Sequence, residues 1–164
     1  MSNQFDFVST TDKPVLLAFS TPEWLDAART ALSELGYKVH TAATHGDFLI
    51  RFSQVRYQVV ILEERFAAND ITENLTLQAL QQMPMNQRRH ATVVLLGESF
   101  QTFTPMQAFQ HSVHAVVNAS EIFLLKQLIE KAIADNTLFL KAYRDAQSRT
   151  FGKPEKAEVP ANEF

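Results

Sequence analysis

The chain has 164 residues, no cysteine and a formal net charge of −3 with a pI near 5.9. The absence of cysteine excludes disulfides, thiolate zinc sites and cysteine nucleophiles, and the mild acidity argues against broad attraction to phosphate backbones. No apolar stretch approaches the roughly 20 residues that would span a bilayer, and the polar start "SNQFDF" after Met1 has no secretory pattern, so a soluble cytoplasmic protein of one domain with tails is expected.

In chain order, residues 1–12 read as an N-terminal extension from which Phe5 and Phe7 could dock. "VLLA" at 15–18 is the first of four continuous apolar runs; the others are "VVIL" at 59–62, "VVLL" at 93–96 and "AVV" at 115–117. Such runs suit strands covered on both faces, as in a parallel sheet. After the first run, Thr21 and Pro22 start a helix on which Trp24, Ala28, Leu32 and Leu35 recur at helical spacing, and Gly36 stops it. "KVHTA" at 38–42 reads as a strand, and "HGDFLIRFSQV" as a short helix with Phe48 and Phe52 inward. A helix beginning near Thr72 ends before Pro84, Thr104 and Pro105 open another, and a long helix begins near Ser120.

Alternating strands and helices of this length imply right-handed crossovers and helices on both faces of a parallel sheet. Five strands favour the flavodoxin-like order 2-1-3-4-5, whose crevice lies at the carboxyl ends of the first and third strands, where "VVILEERF" delivers Glu63 and Glu64. Enzyme signatures are poor. Four glycines at 36, 46, 97 and 152 build neither a dinucleotide fingerprint nor a P-loop. His111 and His114 are too irregularly set for a metal pair, Ser99 lacks an elbow motif, and "QRRH" at 87–90 reads as a solvated loop rather than a nucleic-acid site.

From about Lys13 to Lys131 the chain resembles the receiver (CheY-like) domains of bacterial two-component response regulators. The resemblance rests on "STPEWLDAARTALSELGYKV", similar to the family's segment from first to second strand, and on "YQVVILEE", similar to the strand that ends on the phosphoacceptor aspartate. It places Glu63 at the acceptor, Phe19 and Ser20 at the magnesium-binding acids, Gly97 at the fourth strand's hydroxyl, Asn118 at the fifth strand's lysine and Ala115 at the switch aromatic. None of the last five can play the family's role, and Phe19 is expected to fill the old metal pocket. The implied protein is a pseudo-receiver without metal or cofactor that is not an enzyme. A glutamate at the acceptor can mimic a phosphorylated state, but it needs donors that the empty lysine and hydroxyl positions do not supply. The plainer reading is a solvated acid, Glu63 or Glu64, paired with Arg65 or an arginine of "QRRH". Were Glu63 buried without a partner, its pKa would rise. "VVILEERF", "PMNQRRH" and "VVLLGESFQTF" are further similar to a bacterial receiver-like group of unknown function, some members of which carry a zinc-ribbon segment that a cysteine-free chain lacks.

The receiver-like domain is expected over 13–134. The helical pattern then continues: unbroken over 122–149 it would extend about 40 Å, past the sheet it packs on. Residues 135–149 are therefore either an extension of the last helix or, if "DNT" at 135–137 interrupts it, a recapped helix that folds back. Leu138, Phe139, Leu140 and Tyr143 lie past the sheet and form the candidate interaction surface, with homodimerisation the first expectation and no partner protein named. Phe100, Phe103, Met106 and Phe109 make a second apolar group, mostly core. Residues 150–164 read as a disordered tail. Two alternatives stay open: a small-molecule-binding or enzymatic domain using the crevice at Glu63, and an atypical receiver that still takes phosphate.

Overall fold

The computed structural model describes residues 8–88 and 90–151. The tail expected over 150–164 lies outside these residues from 152 onward, as do Phe5 and Phe7. Strands β1 (Pro14–Ala18), β2 (Lys38–Ala42), β3 (Val59–Glu63), β4 (Thr92–Gly97) and β5 (Ala115–Asn118) alternate with helices α1 (Pro22–Glu34), α2 (His45–Gln54), α3 (Leu75–Gln82), α4 (Met85–Arg88), α5 (Pro105–His111) and α6 (Leu125–Phe151). The sheet is parallel in the order β2-β1-β3-β4-β5, the flavodoxin-like arrangement. Short 3-10 turns at Ile71–Glu73 and Ala119–Leu124 precede α3 and α6.

Strand alternation sorts the apolar runs into two cores. Leu16, Val60, Leu62, Val93 and Leu95 face α2 and α3, where Phe48, Phe52, Leu77 and Leu80 cover them. Val15, Leu17, Val59, Ile61, Val94 and Leu96 face α1 and α6, where Ala28, Leu32, Leu125, Ile129 and Ala132 cover them. Each fully buried leucine or isoleucine contributes about 1.5–3 kcal/mol of transfer free energy, which is why both faces of these strands had to be apolar. Gly36, at φ +89°, ends α1 in the left-handed turn that lets Tyr37 N–H reach back to the Leu32 carbonyl at 3.1 Å.

Two expectations change, and of the two readings of residues 135–149 the extension of the last helix is the one seen. The helix after β3 begins at Leu75 rather than Thr72, because Asp70 caps only a 3-10 turn while Asn74 Oδ1 accepts the Leu77 N–H at 3.1 Å and starts α3. "DNT" does not break the last helix, which runs from Leu125 to Phe151: Asn136 faces inward and donates to Thr92 Oγ1 on β4 at 3.0 Å, so the polar residue is used within the helix instead of capping a new one. Phe100 is buried and Phe103 packs against the core, but Met106 and Phe109 are exposed, since the short α5 turns only Ala108 inward.

Candidate functional site

The parallel register brings the ends of β1, β3 and β4 together: Ala18 lies beside Leu62, and Glu63 beside Leu96. Glu63 is therefore carried to the crevice, but it is only 5% exposed. Its Oε1 accepts the backbone N–H groups of Ser20 at 2.8 Å and Thr21 at 3.0 Å, and its Oε2 accepts the Thr21 hydroxyl at 2.9 Å. Ser20 and Thr21 form the junction between β1 and α1, so the carboxylate takes the N–H groups of the N-cap residue and the one before it, at the positive end of α1. Thr21, at the N-cap position, makes no side-chain cap bond of its own because its hydroxyl serves Glu63.

This corrects the expectation of a solvated acid. Arg65 turns outward and pairs with Glu98 at 2.8 Å. The donors that hold Glu63 are backbone groups and a threonine hydroxyl, which a search for basic side chains misses.

Glu64 is buried as well, at 8% exposure. Its N–H bonds the Leu96 carbonyl at 2.8 Å, and its Oε1 accepts the Ser99 N–H at 3.3 Å, so the side chain lies over the end of β4. Gly97 makes room for it: a Cβ added there would overlap Glu64 Oε1 and stand 2.5 Å from Glu64 Cβ. The position matched to the family's hydroxyl is thus one where no side chain fits while Glu64 is in place.

Phe19 does not fill the crevice. It continues the Val15, Leu17 alternation and packs into the core under α1 and α6. The remaining hollow, about 310 Å³, is lined by Thr21, Trp24, Glu63, Glu64, Arg65, Gly97 and Glu98. At the next strand end, Asn118 acts as a loop clip. Its Nδ2 donates to the Phe100 carbonyl at 2.6 Å, and its Oδ1 accepts both the N–H and the hydroxyl of Ser120 at 2.8 and 2.6 Å. Ala115 is buried at the start of β5, on the α6 side of the sheet.

Asn74 is the site residue that the sequence reading missed. Fully buried, it donates from Nδ2 to the carbonyls of Glu63 at 3.1 Å and Glu64 at 3.0 Å while capping α3 with Oδ1. The loop after β3 is tied down twice more. Ser20 Oγ accepts the Ala67 N–H at 2.7 Å. His45 Nδ1 accepts the Thr76 N–H at 3.1 Å, which requires the neutral tautomer with its proton on Nε2, facing the Ala67 carbonyl at 3.3 Å.

The donor set does not suit magnesium, a hard cation that takes anionic and carbonyl oxygens. Phe19 has none, Ser20 Oγ is engaged by Ala67, and Glu63 is satisfied by three donors. Among the described residues no three His, Asp or Glu side chains are grouped to hold a metal ion.

Across the sheet's other edge, a groove of about 580 Å³ runs between α5, β5 and α6, lined in part by Phe103, Pro105, Ala108, His114, Lys131 and Phe139. His114 Nδ1 accepts the Val93 N–H at 2.9 Å, and burial together with the Arg88 cation holds its pKa below the usual histidine value. Past the sheet, Leu138, Phe139 and Tyr143 are exposed, whereas Leu140 is half-buried toward Arg56 and His90. No helix among the described residues is long and apolar enough to cross a membrane.

Five parallel strands in this order, the crevice at their carboxyl ends and the long last helix define a flavodoxin-like fold of the CheY-like receiver type. No family model and no curated protein matches the chain. Solved structures do. NtrX from Brucella abortus in complex with ADP aligns with a TM-score of 0.60 and 17% identity over 87% of this chain, and the match spans 31% of NtrX. A CheY-like response regulator receiver domain protein from Methanospirillum hungatei aligns at 0.55 with 18% identity, over 77% of this chain and 98% of that one. The chemotaxis response regulator CheY4 of Vibrio cholerae aligns at 0.53 with 16% identity, over 72% and 99%.

Proposed function

We propose that this protein is a receiver-like signalling module that works by protein contact without taking a phosphoryl group, and that it self-associates through the end of α6. The observation that carries the reading is the inward clasp of Glu63. An acceptor must present a free carboxylate oxygen beside a cation; here both oxygens are engaged by Ser20 and Thr21, and the cation's ligands are replaced by a core phenylalanine and an occupied serine. Mimicry of a phosphorylated state is disfavoured by the same geometry, because the charge is drawn toward the start of α1 rather than pushed toward β4 and β5. With its crevice chemistry spent, the surface the molecule offers is the exposed Leu138 and Phe139 on a helix that outruns its sheet.

Native mass spectrometry with magnesium and acetyl phosphate over a tenfold range of protein concentration tests this. The expected result is no phosphoryl increment and a dimer fraction that grows with concentration. A phosphoryl adduct, or a retained small molecule that is lost on Glu63→Gln substitution, would overturn the reading in favour of a working crevice.

A further inference from the structure

The free side of α6 carries a self-complementary pattern. With successive residues about 100° apart, the buried residues Leu125, Ile129 and Ala132 and the half-buried Asn136 and Leu140 form one stripe, and Asp135, Leu138, Ala142, Ala146 and Arg149 form a second about a third of a turn away. Every member of the second stripe is exposed, Leu138 to 68%. Its order is acid, large apolar, alanine, alanine, base. Laid antiparallel on a second copy about a two-fold axis at Ala142, Asp135 meets Arg149, Leu138 meets Ala146, and Ala142 meets itself. Both ends then carry an opposite-charge pair, and the two alanines let the helices approach closely where the leucines need space. A parallel pairing would instead set Asp135 against Asp135 and Arg149 against Arg149.

We infer that α6 pairs with α6 of a second copy of this chain, antiparallel, with its two-fold axis at Ala142. The inference rests on the proposed self-association and specifies its register. Asp135 also pairs with Lys131 on its own helix at 2.9 Å, an exposed contact that yields readily to a partner. A seam of this length is roughly 20 Å long and belongs with small, weak interfaces, so a micromolar dimer is expected.

The absence of cysteine makes the test direct. Ala142→Cys in the full chain is expected to give a covalent dimer on mild oxidation, whereas Arg144→Cys, on the opposite side of the helix, is not. Asp135→Lys and Arg149→Glu should each raise the dimer Kd about tenfold, since each change acts twice across the axis, and the double substitution should restore it. Equal crosslinking at both positions, a trimer, or a dimer indifferent to the charge reversals would overturn the register while leaving self-association standing. A monomer at several hundred micromolar would overturn both.

Discussion

Substituting Gly97 by alanine adds one methyl group at the point where Glu64 crosses the end of β4. The new Cβ would overlap Glu64 Oε1, which can swing away, but it would also stand 2.5 Å from Glu64 Cβ, which is fixed by the backbone. The Glu64 N–H bond to Leu96 holds that backbone in the β3–β4 register, so relief requires the strand ends to part. Overpacking of this kind costs about 1–3 kcal/mol, and a backbone-fixed contact belongs at the upper end. At roughly 2–4 °C per kcal/mol for a chain of this size, Gly97→Ala should lower Tm by about 6–12 °C. Thermal unfolding followed by far-UV circular dichroism, with a double-mutant cycle, measures it. Glu64→Ala removes the carboxylate and keeps the Cβ, so it should relieve the penalty only in part; Glu64→Gly should relieve nearly all of it, a coupling of about 2 kcal/mol. A Gly97→Ala protein within about 1 °C of the parent, or no coupling with Glu64→Gly, would refute the argument that Glu64 and Gly97 share one space.

Asn74→Ala removes a helix cap and the Nδ2 donor to the buried Glu64 carbonyl, while the Glu63 carbonyl keeps the Phe66 N–H, so a loss of about 2–3 kcal/mol is expected in urea unfolding; Asn74→Asp keeps the cap but sets a buried carboxylate oxygen against two carbonyls and should lose at least as much. Glu63→Gln keeps an acceptor for Ser20 and Thr21 and should cost about 1 kcal/mol, while Glu63→Ala should cost about 2–3 kcal/mol; hydrogen exchange at the Ser20 and Thr21 amides should rise strongly only in the alanine protein. The folded pKa of His114 lies below its unfolded value near 6.5, so the folded state binds fewer protons and the associated stability, full above that pH, is lost as pH falls through the depressed folded pKa. Burial pushes His90 and His111 in the same direction, aided at His90 by Arg56 and opposed at His111 by Glu64. His114→Asn, which can still accept the Val93 N–H, should flatten the acid side of a plot of unfolding midpoint against pH; an unchanged slope would show that His114 does not contribute.

The sheet was legible because its signal is redundant: four runs of consecutive apolar residues can be buried only with helices on both sides, and chain order then limits the topology. The direction of Phe19 was legible too, since Val15, Leu17 and Phe19 alternate onto one face, yet the family resemblance placed it in the crevice. The hold on Glu63 was not legible. Its main donors are main-chain N–H groups of Ser20 and Thr21, which carry no residue-type signature and come into range only when β1 and β3 are neighbours. Asn74 was hidden for a related reason. A capping asparagine is common, and nothing local shows that its amide nitrogen will meet the carbonyls of residues 63 and 64. The short α4 was missed because four residues after a proline show no periodicity.

The bond between Asn136 and Thr92 sets a length scale for the whole molecule. The apolar residues of α6 repeat so evenly that the helix could slide along the sheet by one turn and still set a leucine, an isoleucine or an alanine at every station but the one that Asn136 would take. One polar pair admits a single station, much as a notch fixes a sliding rule. The height at which Leu138 and the charged residues beyond it clear the body is therefore set from inside the sheet, by a threonine at the start of β4. Exchanging Thr92 for valine would leave the fold's outline unchanged and blur the position of a surface that threonine never touches.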